Sequence, residues 1–437
     1  MSSVMAMGHR SLLHPGVIAA LVSLLGPQAA TGALAAVKRR SALHGCTVSA
    51  PEQSPLLSSK AGNGTRQAED LGDDPDDDDD DDDDDEADGS DAPAGFYVPG
   101  SDTCVAISGT LSTGMQYDWY RIKAPAAGLV RISPDVTTFP ITASLRLESG
   151  QALANGLYLS TAIEFMFDTT SDDNPTVEEA SITLGPFTAG VTASWFDFWT
   201  GEDFVLVGRI PSRTVGLFGV NRRLTDTLQF SLSAETLESN QSALGLSRGA
   251  RMPDGVARLL YDDGTLTIHG AVALHDQRLT GDSSRRLGRA AIIGATWQHA
   301  LFGRNTILSG QIAGAIDAAP YIGSQLDRRA VLPLLAIGHA TRGWSGVLSI
   351  GHDLSDTWST NAYVSRYDLK LPFPGSEAGH IRIDRLSANL VWKPFNGIKI
   401  GVEGSTAWQN AEILGRVVST SLAGRQTSLQ VFLERAF

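Results

Sequence analysis

The side chains able to do chemistry are scattered, and their spacing argues against most reactions. Gly245-Leu246-Ser247-Arg248-Gly249 has the spacing of a nucleophile elbow, a device that needs a strand before the serine and a helix after it. Met252-Pro253-Asp254-Gly255 follows instead, which reads as a turn, so the pattern is assigned to chance. His269 and His275 share a face of an alternating segment, but six residues of strand are about 20 Å, too far for one ion. Cys46 and Cys104 are too few for a disulfide framework and too far apart for a zinc motif, and the sequence leaves open whether they bridge in an oxidising compartment. No phosphate loop or dinucleotide fingerprint is present. The expectation is a chain with no catalytic residue, no metal and no cofactor.

Charge is unevenly spread. The formal net charge is −15, yet the stretch from Glu69 to Asp91 holds 17 carboxylates and no Lys or Arg, so the rest of the chain stands at +2. No basic stripe with interleaved aromatics remains, which argues against nucleic acid as a partner. Residues 36–94 are polar, dotted with Pro and Gly, and include the ten-Asp run Asp76 to Asp85. Like charges at that density repel and bury little apolar area, so this stretch is expected to be a disordered acidic linker and not a calcium site.

His9 and Arg10 precede an apolar stretch from Val17 to Leu25, followed by Gly26, Pro27 and Ala33-Leu34-Ala35. That order fits a secretory signal over residues 1–35, with cleavage after Ala35 first and Ala30 second. Leu43-His44-Gly45-Cys46 fits a lipoprotein site poorly, with Lys38-Arg39-Arg40 before it. No segment has about 20 uninterrupted apolar residues, so any membrane role must use strands.

The elements that would position a site are strands. The 45 Gly and only six Met favour turns and half-buried strands over long helices. From Phe96 onward apolar and polar residues alternate: Leu266, Ile268, Val272 and Leu274 against Thr267, His269 and His275; Leu308, Ile312 and Ile316 against Thr306 and Gln311; Ile398, Ile400, Val402 and Trp408 against Lys399, Glu403, Ser405 and Gln409. The segments run about 9 to 13 residues, longer than globular strands and long enough to cross a bilayer at a tilt. Trp119 with Tyr120, Trp195, Trp199, Trp297, Trp344, Trp358, Trp392 and Trp408 fall near segment ends, where an aromatic girdle would lie. The run Leu429, Val431, Leu433, Arg435, Phe437 finishes mid-strand on an aromatic, as a barrel that pairs its last strand with its first would do.

One stretch carries a family likeness. Gly95-Phe96-Tyr97-Val98-Pro99-Gly100-Ser101-Asp102-Thr103-Cys104, continuing to Ile107-Ser108-Gly109, resembles the opening of alphaproteobacterial porins. Ser194-Trp195-Phe196-Asp197-Phe198 and Met252-Pro253-Asp254 are similar to two further family blocks. The resemblance covers residues 95–437. It implies an all-β transmembrane antiparallel up-and-down barrel of sixteen strands with a pore-constricting third loop. It also implies a homotrimeric outer-membrane porin for passive diffusion of small hydrophilic solutes, with outer-membrane lipid, lipopolysaccharide and the barrel assembly machinery as partners. The chain departs from the family in its acidic insertion and in lacking a Cys near Gly89-Ser90-Asp91. The family's third loop would fall near Ser194 to Leu224, placing Asp197, Glu202 and Asp203 against Arg209, Arg213, Arg222 and Arg223 across the pore. Phe437 would close the barrel. Two other readings stay open: a secreted soluble adhesin-like β-sandwich, and an outer-membrane barrel enzyme.

Overall fold

Alternation at period two demands a sheet with unlike faces, and the protein, seen in a computed structural model, is built from one such sheet. The structure describes residues 45–48, 94–123, 135–154, 156–169, 175–198, 204–237, 252–276, 287–324, 340–372, 376–415 and 419–437. The expected signal peptide, the acidic run, the Ser247 motif, Trp199, Glu202 and Asp203 lie outside those residues.

Nineteen strands are described. They are β1 (Gly45–Thr47), β2 (Ala94–Tyr97), β3 (Cys104–Lys123), β4 (Asp135–Thr138), β5 (Ile141–Ala152), β6 (Tyr158–Asp168), β7 (Thr176–Leu184), β8 (Phe187–Ala193), β9 (Thr214–Arg223) and β10 (Leu228–Leu237). There follow β11 (Asp254–Asp262), β12 (Leu266–Asp276), β13 (Leu287–Leu301), β14 (Arg304–Ile316), β15 (Arg342–Asp353), β16 (Trp358–Leu371), β17 (Ser376–Phe395), β18 (Ile398–Gly415) and β19 (Ser419–Ala436). All pairings are antiparallel between neighbours. β4 and β5 both pair with β3 and form one wall strand broken at Phe139-Pro140, where proline has no N–H for the ladder. With β1 and β2 set aside, sixteen strands form the wall. β19 closes it on β3 from Ala436↔Thr110 to Ala423↔Lys123. A closed register leaves no edge to pair with another chain, and it removes the sandwich reading, which needs two open sheets.

The two faces follow the sequence pattern. Leu259, Ile268, Val272, Leu274, Ile293, Ile312, Leu348 and Val364 are exposed on the outside, while Ser231, Gln311, Ser349, Asn361, Asn389 and Gln430 are buried within. A fold that turns its apolar side outward has a hydrocarbon solvent. On β18 the outer face stays free of charged residues from Ile398 to Trp408, about 33 Å of strand, or about 25 Å of height at the usual tilt. Trp358 and Trp392 stack at one end of the wall, and Trp344 and Trp408 are exposed toward the other. Two placements differ from expectation. Thr306 shares the outward parity of Leu308 and bonds His352 Nδ1 at 2.8 Å. Trp195 is buried at 5% exposure inside the barrel and so is no part of a girdle.

The linker expected over residues 36–94 does contribute a strand. β1 pairs with β2 (Cys46↔Gly95) and β2 with β3 (Phe96↔Val105) below the end of β19. Cys46 and Cys104 are joined by a disulfide, and Val48 and Ala106 pack beside it.

Candidate functional site

One end of the wall has short turns, such as those between β7 and β8, β13 and β14, and β17 and β18. At the other end residues 194–213 join β8 to β9, and the described parts of that loop, 194–198 and 204–213, fold inward. The loop's root is clasped by Glu235 of β10, which is 1% exposed. Its carboxylate accepts the Ser194 hydroxyl at 2.6 Å and the Trp195 N–H at 3.1 Å. Two glycines of the wall leave seats for the loop's aromatics: a Cβ on Gly219 would stand 2.5 Å from the Trp195 ring, and one on Gly294 2.4 Å from Phe198. Phe198 stacks on His269 of β12 with centroids 5.1 Å apart. The ring nitrogen Nε2 of His269 bonds the Phe196 carbonyl at 3.1 Å.

The tip reaches the far wall. Glu403 of β18, fully buried, accepts the Val205 N–H at 2.8 Å, the Leu206 N–H at 3.0 Å and the Ser387 hydroxyl at 2.8 Å. Tyr363 of β16 donates its hydroxyl to the Leu206 carbonyl and meets the Phe204 ring edge-on at 4.7 Å. Two buried carboxylates, on β10 and β18, therefore satisfy backbone N–H groups that a loop inside a barrel would otherwise bury unpaired.

A second inward segment braces the first. After β14 the chain turns through Ala319–Ile322, a short 3-10 helix whose four residues are buried. Tyr321 donates to Asp254 at 2.9 Å, and Asp254 also bonds His275 Nδ1 at 2.7 Å. The Arg213 guanidinium lies over the Tyr321 ring at 3.7 Å. Burial pushes the Tyr321 hydroxyl far above its ordinary range. Burial would lower the Arg213 pKa, but Asp197, Tyr321 and Glu235 outweigh it and hold the guanidinium charged.

The predicted constriction residues part company here. Asp197 and Arg213 form a pair at 3.6 Å with side chains 9% and 10% exposed; they tie the loop's root and present little charge to the lumen. Arg209 sits on the return arm, exposed, within electrostatic reach of Tyr367. Arg222 and Arg223 belong to β9 and not to the loop. Arg222 is exposed on the outer side at the turn end, and Arg223 points inward there. The loop is shorter than the sequence implied because β9 begins at Thr214. Phe437 exchanges two backbone hydrogen bonds of 3.0 Å with Gly109 of β3.

Lumen charges that the sequence reading passed over stand on β5, β6 and β7. Arg146 is held by Glu148 at 2.7 Å, Glu164 at 2.9 Å and Glu179 at 2.6 Å, a cluster with two negative charges in excess. Asp118 of β3 accepts from Gln116 at 2.8 Å and from Gln426 at 3.2 Å. On β17 Arg385 bonds Tyr363. Inward parity was the signal that could have found them: each charge interrupts an apolar run at every second position. Among the described residues no cluster could hold a metal ion.

Residues 92–305 match the model of the Porin subfamily, a little under half of the 437 residues. No curated protein matches. Among solved structures, the outer membrane channel DcaP of Acinetobacter baumannii is 15% identical with a TM-score of 0.61, covering 78% of this chain and 99% of that one. The anion-selective porin of Comamonas acidovorans is 13% identical with a TM-score of 0.49, covering 77% and 100%. OmpF of Salmonella typhi is 11% identical with a TM-score of 0.48, covering 77% and 98%. The first of these carries the likeness of fold.

Proposed function

We propose that the chain is an outer-membrane porin, a water-filled channel through which small hydrophilic solutes and ions diffuse passively. The observation that carries the reading is a closed sixteen-strand wall, apolar outside and polar inside, with residues 194–198 and 204–213 folded into its lumen and fastened to β10 and β18. The match to the porin model supports it. Such a channel selects by size and field and needs no binding site, reaction or cofactor. The short-turn end faces the periplasm and the loop end the exterior.

Selectivity in this reading comes from the acidic cluster around Arg146 on one side and from Arg209 and Arg385 on the other, together with Glu202 and Asp203 of the loop. A homotrimer, lipopolysaccharide at the wall and assembly by the barrel insertion machinery belong to the same proposal. A planar bilayer tests it. The purified protein should give stable, ohmic steps in salt, and the absence of conductance from a heat-modifiable, folded barrel would overturn the channel reading.

A further inference from the structure

Two cations stand on the inner wall below the root of the inward loop, toward the short-turn end. Arg223 of β9 and Arg258 of β11 both face inward, on either side of β10. The register sets Arg223 opposite Gln229, and it sets Ser231 opposite both Asn221 and Arg258. Two strand spacings and an offset of two residues put the two arginine Cα atoms about 12 Å apart. Side chains of that length close such a gap when both lean over β10.

Arg258 is 6% exposed, yet it has no ion pair among the described residues. Its Nε and Nη2 donate to the Ser231 hydroxyl at 3.3 and 3.0 Å, a neutral acceptor that itself donates to Asn221 at 3.0 Å. The Trp195 ring covers it, with the centroid 5.5 Å from the guanidinium carbon. Arg223 is half-buried, and its Nε is buried with no acceptor. The carboxylates on this face are committed elsewhere. Glu235 holds the loop's root, Asp254 takes His275 and Tyr321, and Asp262 accepts the Gly264 N–H at 2.9 Å within its own turn. His269, in the row beside Leu260, turns its Nε2 to the Phe196 carbonyl and brings no negative charge.

Guanidinium groups stay protonated in proteins, and a buried charge without a counter-charge is strongly unfavourable. A small anion between the two groups would supply that charge and take charge-assisted hydrogen bonds from both. Trp195 on the loop side and Gln229 on the turn side are buried and bound the space, which favours a monovalent ion over phosphate or sulfate. We infer that Arg223 and Arg258, over Gln229 and Ser231, form a binding site for a small monovalent anion such as chloride. The inference needs only the fold and goes beyond the channel reading.

Iodide tests the site in solution, because a heavy halide quenches indole emission on contact. Trp195 is 5% exposed, so bulk iodide should reach its ring only through the site. The emission of the full chain minus that of Trp195→Phe isolates this ring among the eight tryptophans. With ionic strength held constant by sodium gluconate, the difference should fall to a plateau as iodide rises, and chloride should restore it. Arg223→Gln removes hydrogen bonds from a charged donor and should raise the half-saturating iodide concentration about ten-fold. Arg342→Gln, the same change of charge at an exposed site on the outer wall, should leave the curve unchanged. Heat-modifiable mobility reports that each variant keeps the barrel. Quenching that stays linear in iodide, indifference to chloride, or an unaltered curve in Arg223→Gln would overturn the inference. Crystals of the unaltered chain soaked in bromide give a reading that needs no substitution. Anomalous density between Arg223 and Arg258 is expected, and crystals that bind bromide elsewhere but not there would overturn the inference equally.

Discussion

Replacing Glu403 by Gln should loosen the loop that narrows the lumen. The buried carboxylate takes two backbone N–H groups at 2.8 and 3.0 Å and the Ser387 hydroxyl at 2.8 Å. Gln keeps one carbonyl oxygen and turns the other into a donor, so one N–H loses its acceptor and faces a second donor. A hydrogen bond to a charged group contributes about 1.5–3 kcal/mol, and an orphaned buried donor costs on that same scale. At about 1.4 kcal/mol per factor of ten, the ratio of released to docked tip should rise about ten- to hundred-fold. The clasp at Glu235 keeps the root in place and Phe204 still meets Tyr363 at the tip, so the barrel should still assemble. Single-channel recording reads the outcome: wild-type openings should be quiet, whereas Glu403→Gln should show added current noise and excursions to higher conductance. Unchanged conductance and noise in a correctly folded variant would refute the claim that Glu403 holds the tip.

Four other outcomes are expected. Phe437→Ala should reduce outer-membrane levels, and Gly109→Val should do so as well, since its Cβ would stand 2.7 Å from the Phe437 ring and 2.5 Å from the Ser144 carbonyl oxygen; immunoblots of membrane fractions measure both. Glu148→Gln, Glu164→Gln and Glu179→Gln together should lower the cation/anion permeability ratio, and reversal potentials should show the shift shrinking in 1 M salt, where the Debye length is about 3 Å. Asp197→Asn alone should leave the reversal potential near that of the wild type, because its charge is already offset by Arg213. Cys104→Ser should free the strap formed by β1 and β2, which the bridge restrains by about 4 kcal/mol of loop entropy for a separation of 58 residues, without loss of heat-modifiable mobility; protease protection at residues 45–48 reports it.

The wall was legible in the sequence because its physics is local. The outward set Ile268, Val272 and Leu274 and the inward pair His269 and His275 follow from parity alone, and Phe437 marks the closing strand by its place at the end of an alternating run. What the loop does with its charges was not legible. Asp197 and Arg209 look equivalent in the sequence, and only the fold, by bringing Arg213 back to the root, buries the first in an ion pair and leaves the second exposed on the return arm. Glu235 and Glu403 were hidden for a related reason. Each looks like any polar residue on the wet face of a strand, and its role depends on backbone N–H groups 40 and 198 residues away. Met252-Pro253-Asp254 is half legible: the triplet resembles a family block, but the use of Asp254 as the acceptor for Tyr321 needs the distant segment to arrive.

The bridge between Cys46 and Cys104 has a consequence for connectivity. The whole acidic run, Glu69 to Asp91, lies between the two cysteines in sequence, so it is part of a covalently closed ring and not a free tail. A single cut anywhere in that ring severs the peptide chain without releasing a fragment: the N-terminal piece stays attached to β3 through sulfur. A nicked molecule would therefore run as one species without reductant and as two with it, and its 17 carboxylates would remain with the wall in either half until the disulfide is opened.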